Sequence, residues 1–356
     1  MSTGWPAETS EPRETHRFPL DALRVHLAGH LADFRGGDDL AVRQFAGGQS
    51  NPTFVLRAGE RFVVLRKKPP GTLLPSAHAI DREYRVMSAL RETAVPVPRV
   101  LLFCEDANVI GTPFYLMEHV EGRIFRDQLL PSVANSSDRR AIYAATARTL
   151  AALHTVDWKR AGLADYGKSG NYMARQVSRW SQQYEASKTE RIESMTRLSA
   201  WLPANLPPGD ETSIVHGDFR LENLLFHPTE PRVVATLDWE LSTLGHPIAD
   251  LGYNCMPYHL PSATLGRGLA GIDLGVIGVP AQGEYVANYC EHAGRSSAPD
   301  LGYYVAFALF RSAAIIQGVY KRGLDGNASS ETALTLGPMV RIIADAGWKI
   351  ASGLGG

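Results

Sequence analysis

His216, Asp218 and Asn223 stand in the order H-x-D-x-x-x-x-N within the run IVHGDFRLENLLFHPTEPRVVATLDWE, residues 214–240, and Asp238 follows Asp218 at the end of a second apolar stretch. Phosphoryl transfer asks for little covalent help from a protein. It needs a carboxylate to orient and deprotonate the attacking hydroxyl, and oxygen ligands for a Mg²⁺ ion that bridges the ATP phosphates. Asp218 suits the base, Asn223 a neutral oxygen ligand and Asp238 a charged one. Taken singly, each has an ordinary reading as a turn cap, a loop amide or a strand-end residue. The joint spacing on one loop and one strand end points to phosphoryl transfer.

Two kinds of element must position these groups. Leu20, Leu23, Leu27 and Leu31 have helical spacing over Pro19 to Phe34. Leu40 to Phe45, Thr53 to Arg57 and Arg61 to Lys67 then read as strands, the last two joined by a tight turn at Ala58-Gly59-Glu60. Ala77 to Arg91 returns to helical spacing, and Pro96 and Pro98 break the chain before two further strands, Val100 to Cys104 and Pro113 to Val120. After Gly122 the pattern is mostly helical, at Ser137 to His154, Tyr172 to Glu185, Glu190 to Leu202 and beyond Asp300. Ser213 to Asp218 and Val233 to Leu237 form a small strand pair inserted among these helices. This order is α+β.

The segment around Asp218 resembles the catalytic and metal loops of the aminoglycoside phosphotransferase family, relatives of the protein kinases, with HGD in place of HRD and DWE in place of DFG. The resemblance runs from about Leu40 to about Arg322. It implies a bilobal protein-kinase-like fold with a five-stranded antiparallel sheet plus helix in the N-lobe and a mainly helical C-lobe. It also implies ATP and Mg²⁺ as cofactors, Asp218 as catalytic base, and Asn223 and Asp238 as metal ligands. His216 supports the loop by organising its backbone, and Asp250, in HPIADLG, corresponds to the aspartate that braces the loop.

In the first lobe FAGGQSN, residues 45–51, falls where the family covers the phosphates. The paired Gly47 and Gly48 let backbone N–H groups approach anionic oxygens, and Ser50 adds a hydroxyl; the G-x-G-x-x-G spacing is absent. Arg66 falls where V-A-I-K patterns place their lysine. Its planar fork can serve both a carboxylate and phosphate oxygens, with Glu83 on the next helix as partner. Lys68, on the same strand face, competes for the phosphate contact. The family binds adenine at the link between lobes, which implies Met117 behind the adenine and Glu118 and Val120 as backbone contacts.

The 356 residues, 44% hydrophobic and 21% charged, make an ordinary globular composition. Single cores stop growing at about 250 to 300 residues, so two lobes are expected, at 1–117 and 118–356. Thirty-six basic residues balance 37 acidic ones for a net charge of -1, which leaves no footprint for nucleic acid. Cys104, Cys255 and Cys290 form no CxxC pair, so neither a disulfide framework nor a cysteine zinc site is indicated, and a cytoplasmic location fits. The polar first 18 residues lack a signal's apolar region and read as a loose tail. Leu301 to Tyr320 is apolar but carries Arg311 at its middle, where membrane insertion costs roughly 2.5 to 3.5 kcal/mol. A buried core helix, not a membrane span, is expected.

The acceptor is a small-molecule hydroxyl. A polycationic aminoglycoside calls for clustered carboxylates, yet from Leu251 onward seven acidic and seven basic residues are scattered. The same region offers Tyr253, Met256, Tyr258, His259, Tyr303, Tyr304, Phe307 and Phe310, mostly core by their spacing. The stretches Lys67 to His78, Arg175 to Glu190 and LDWELSTLGHPIADLGYN resemble the kinase-like domain fused to certain acyl-CoA dehydrogenases, which implies a hydroxyacyl-CoA acceptor. An aminoglycoside or other small alcohol is the alternative. A catalytically silent nucleotide-binding module and a metal-dependent hydrolase built on His216, Asp218 and Asp238 stand as readings of other classes.

Overall fold

The computed structural model describes residues 4–31, 34, 39–46, 51–69, 79–264, 268–327 and 332–354. Gly47, Gly48 and Ser50, and the first residues of the helix expected from Ala77, lie outside the described residues. The chain divides into two compact units, one made of Met1–Gly122 with Val234–Ser242, the other of Arg123–Val233 with Thr243–Gly356.

The first unit is built on a six-stranded antiparallel sheet. Its strands are Thr9–Ser10 (β1), Leu40–Phe45 (β2), Thr53–Ala58 (β3), Arg61–Lys67 (β4), Val100–Cys104 (β5) and Phe114–Glu118 (β6), in the order β1-β2-β3-β4-β6-β5. Five were expected. The sixth comes from the supposed loose tail, where Thr9 and Ser10 pair with Phe45 and Gln44. Two residues are too few to show an alternating pattern, but they cover the edge of β2 that would otherwise stand open. The hairpin between β3 and β4 turns on Gly59, whose φ of 60° supplies the left-handed conformation needed at the first position of a two-residue loop. Helices Leu20–His30 (α1), Ile80–Leu90 (α2) and Ala107–Ile110 (α3) accompany the sheet. Leu23 and Leu27 of α1 pack with Phe54, Leu56, Leu65, Phe114 and Leu116 in one core. On α2 the buried residues are Ile80, Glu83, Val86, Met87 and Leu90, a single helical face with a carboxylate in it.

The second unit is mainly helical. It contains Ser136–His154 (α4), Tyr172–Ser187 (α5), Glu193–Ala204 (α6), Pro247–Cys255 (α7), Leu274–Ile277 (α8), Gln282–His292 (α9), Leu301–Leu324 (α10) and Gly337–Leu354 (α11). Short strands lie at Ser213–Val215 (β7), Leu224–Phe226 (β8) and Thr243–Gly245 (β10), while Val233–Thr236 (β9) belongs, but for its first residue, to the segment that completes the first unit. The expected inserted strand pair is corrected here, because β7 takes β10 as its antiparallel partner. The apolar α10 is the central core helix, burying Tyr303, Tyr304, Phe307, Phe310, Ala313 and Ala314 among α5, α7 and α11. Of the aromatic and apolar residues expected near the acceptor, Met256 and these four rings are core, while Tyr253, Tyr258 and His259 are only partly buried.

Candidate active site

In the second unit the expected base and its neighbours meet on the loop after β7. That loop turns at Gly217, whose φ of +82° is left-handed and open to glycine at little cost. The Asp218 carboxylate faces three side-chain donors. Asn223 Nδ2 donates to Oδ2 at 2.9 Å, Arg220 Nε to the same oxygen at 3.1 Å, and Tyr253 Oη to Oδ1 at 2.5 Å. Asn223 Nδ2 also donates to the Asp218 carbonyl at 2.8 Å, which ties the two ends of the H-x-D-x-x-x-x-N motif together.

Asp250 braces this loop from α7. The His216 N–H donates to its Oδ2 at 2.5 Å and the Gly217 N–H to its Oδ1 at 2.9 Å. Burial alone would push the Asp250 carboxyl up. The nearby charge of His154, with the His216 N–H, outweighs it and holds the group below its ordinary value. His154 Nε2 lies 3.6 Å from Oδ2, and its Nδ1 meets the Tyr289 hydroxyl at 2.8 Å. His216 is fully buried and its Nδ1 accepts the Asp218 N–H at 3.2 Å, so it shapes backbone.

The first unit holds a separate charged centre around Arg66. Its Nε lies 3.0 Å from Glu83 Oε2, its Nη2 2.6 Å from Asp238 Oδ1 and 3.7 Å from Glu240 Oε2. Arg66 thus takes Glu83 as partner and reaches the expected metal ligand as well. Asn51 Nδ2 donates to Glu83 Oε1 at 2.8 Å, and the Tyr115 hydroxyl to Oε2 at 3.1 Å. Burial pushes the Glu83 carboxyl up to about 7, with Asp238 and Glu240 adding to the rise and Arg66 opposing it. Burial works against the Arg66 charge too, but Glu83, Tyr115, Asp238 and Glu240 outweigh it and the guanidinium is held protonated. Asp238 has a φ of 66°, a left-handed backbone that costs a non-glycine residue roughly 1–3 kcal/mol. The turn that follows is pinned by buried Trp239, whose Nε1 donates to the Thr236 carbonyl at 2.9 Å.

The remaining candidates lie in the first unit. Met117 is buried in β6, and the Glu118 N–H donates to the Arg99 carbonyl at 2.9 Å; Val120 follows the strand, partly exposed. Lys67 is buried with Nζ 5.6 Å from the Phe18 ring centroid, and Lys68 follows the strand end. Arg66 alone of the three makes the acidic contacts described. Sequence reasoning missed Asn51, Tyr115, Glu240, Arg220, His154 and the link from Tyr253 to Asp218. Tyr253 had a signal, being three residues beyond Asp250 and so on the same helix face. Tyr115 had none, because its place opposite Arg66 depends on strand register. Among the described residues no group of three His, Cys, Asp or Glu is arranged to hold a metal.

A mixed α+β fold carrying this braced H-x-D-x-x-x-x-N loop defines the class of kinase-like phosphotransferases. Residues 41–284 match the model of the phosphotransferase enzyme family, the aminoglycoside phosphotransferase type, and the chain belongs to that family. A solved structure from Ralstonia eutropha, described as a putative aminoglycoside phosphotransferase, is 48% identical with a TM-score of 0.86, over 95% of this chain and 99% of that one. An aminoglycoside phosphotransferase solved with AMP-PNP and hygromycin B has the same fold at 15% identity and a TM-score of 0.59, over 93% of this chain and 99% of that one. Acyl-CoA dehydrogenase family member 10 of Mus musculus is 48% identical over 97% of this chain and 32% of its own length. The chain thus spans about a third of that relative.

Proposed function

We propose that the chain is an ATP- and Mg²⁺-dependent small-molecule kinase that transfers the γ-phosphoryl group of ATP to an acceptor hydroxyl. Family membership supports phosphotransferase chemistry. The observation that carries the reading is the Asp218 carboxylate, oriented by Asn223, Arg220 and Tyr253 on a loop that Asp250 braces. The acceptor proton passes to Asp218 and the acceptor oxygen forms the new P–O bond. The bond from the γ-phosphorus to the bridging oxygen breaks, and ADP leaves.

The donor set suits Mg²⁺. Asn223 donates through Nδ2, and Asp238 accepts from Arg66 through Oδ1; among the described residues neither Asn223 Oδ1 nor Asp238 Oδ2 is engaged. Two such oxygens match an ion that keeps several waters and takes the rest of its shell from substrate phosphates. When bound, Mg²⁺ neutralises charge on the β- and γ-phosphates. Gly47, Gly48, Ser50 and Arg66 serve the phosphates, Glu83 holds Arg66 in place, and Met117, Glu118 and Val120 serve the adenine. A cytoplasmic location belongs to the same reading.

For the acceptor we propose a hydroxyacyl-CoA. Scattered carboxylates beyond Leu251 and likeness to a relative named as an acyl-CoA dehydrogenase support it over an aminoglycoside. The test is ADP release with ATP, Mg²⁺ and either hydroxyacyl-CoA thioesters or kanamycin-type aminoglycosides. The thioesters should support turnover and the aminoglycosides stay at background; the reverse result would overturn the acceptor. Asp218→Asn should lower turnover roughly 10² to 10⁴-fold while nucleotide affinity holds. Parental turnover in that variant would remove Asp218 as base. The direct contact of Arg66 with Asp238 favours a second reading, a nucleotide-binding module without turnover, which nucleotide binding with no ADP release on any acceptor would establish.

A further inference from the structure

Arg311 stands mid-way along α10, partly exposed, between two aromatic rings. Its guanidinium carbon lies 5.3 Å from the Trp180 centroid on α5 and 5.5 Å from the Tyr253 centroid on α7. Arg179 of α5 lies 5.6 Å from the same Trp180 ring. Among the described residues neither arginine has a carboxylate partner, and the buried Nε of Arg311 has no hydrogen-bond acceptor. Arg175, one turn earlier on α5, spends its N–H groups on the Gly170 and Lys168 carbonyls but keeps its charge. The nearby carboxylates are committed elsewhere, Asp218 to Asn223, Arg220 and Tyr253, and Asp250 to the loop backbone.

Charged groups withdrawn from water are ordinarily paired. Two rings hold the Arg311 plane by cation–π attraction, yet its N–H edge is left to bond something else. That edge is a rigid fork matched to carboxylate or phosphate oxygens. Tyr253 ties the place to the chemistry, since its ring meets Arg311 and its hydroxyl meets the base.

We propose that Arg311, with Arg179 over the same Trp180 ring as a second source of positive charge, receives an anionic group of the acceptor, phosphate or carboxylate oxygens carried away from the reacting hydroxyl. This rests on the kinase reading above and narrows its acceptor to anionic compounds. Polycations are repelled by the same charges.

The experiment compares one hydroxyacyl chain in three forms: the CoA thioester, which brings phosphates; the free acid, which brings a carboxylate; and the uncharged pantetheine thioester. Arg311→Met should raise KM roughly 10 to 100-fold, the loss of a charged hydrogen bond, for whichever anionic form the parent protein prefers. It should leave the pantetheine form nearly unchanged and kcat within a few-fold, and Arg311→Lys should recover part of the loss. An effect on the thioester alone assigns phosphate; an effect on the acid alone assigns carboxylate. Equal changes for charged and uncharged forms, or a fall in kcat for all, would overturn the proposal and make Arg311 a prop for Tyr253. Should Arg311→Met fail to fold, exposed Arg179→Ala must show a smaller rise in KM confined to the anionic forms, and no rise refutes the site. If no form is turned over at all, calorimetry with CoA and with the free acid still decides. Binding that weakens in Arg311→Met upholds the anion site without the kinase, and equal or absent binding removes it.

Discussion

Arg66 shows how one side-chain choice reorganises a charged centre. A lysine ammonium is a compact point charge, whereas the guanidinium has separate N–H groups for Glu83 and Asp238. Both Arg66 and Glu83 are buried, so removing one partner strands the other. Arg66→Ala should therefore destabilise the protein by about 3–5 kcal/mol, read as a shift of the urea midpoint at constant slope. Arg66→Lys keeps the charge but loses the fork, and should fall between the variant and the parent. A midpoint unchanged in Arg66→Ala would mean that Asn51 and Tyr115 suffice to hold Glu83.

At the level of elements, the loop after β7 depends on α7. Asp250 and Tyr253 lie one turn apart on that helix, the first bonding the loop backbone and the second the Asp218 carboxylate. Asp250 has its carboxyl held below the ordinary range, so its contribution to stability is present above the unfolded pKa of about 3.9. It is lost as pH falls through the lower folded value. Asp250→Asn should lower the melting temperature at pH 7 and flatten the loss of stability below about pH 4; an unchanged acid profile would show that the brace is neutral. Most strands and helices were legible in the sequence because their periodicity is strong, β2, β4 and β5 to the residue. The motif on the β7 loop was legible because its partners are five residues apart. What escaped were contacts made by register and packing. Tyr115 faces Arg66 only once β4 and β6 pair, and the Arg311 cage needs three helices at once. β1 escaped because it is held by an edge rather than by its own pattern.

For the whole molecule the expected signature is linkage between ligand and stability. ATP with Mg²⁺ should raise the unfolding free energy by about 2.7 kcal/mol at a hundredfold excess over Kd, and Asp238→Ala should erase the Mg²⁺-dependent part of the thermal shift. Equal shifts in variant and parent would take Asp238 out of the metal site. Asp238 also belongs to a segment, Val234–Ser242, that completes the first unit although residues 123–233 of the second lie before it in the chain. At the usual ~5–20 residues per second of synthesis, the sheet and α2 leave the ribosome at least roughly 6 to 24 s ahead of the aspartate that Arg66 is to hold, and about as far ahead of Thr236, whose N–H reaches the Pro96 carbonyl at 2.8 Å. During that interval the nascent first unit carries Arg66 and Glu83 with part of their partners still unmade. The first unit therefore cannot be completed until residues 123–233 of the second have been translated.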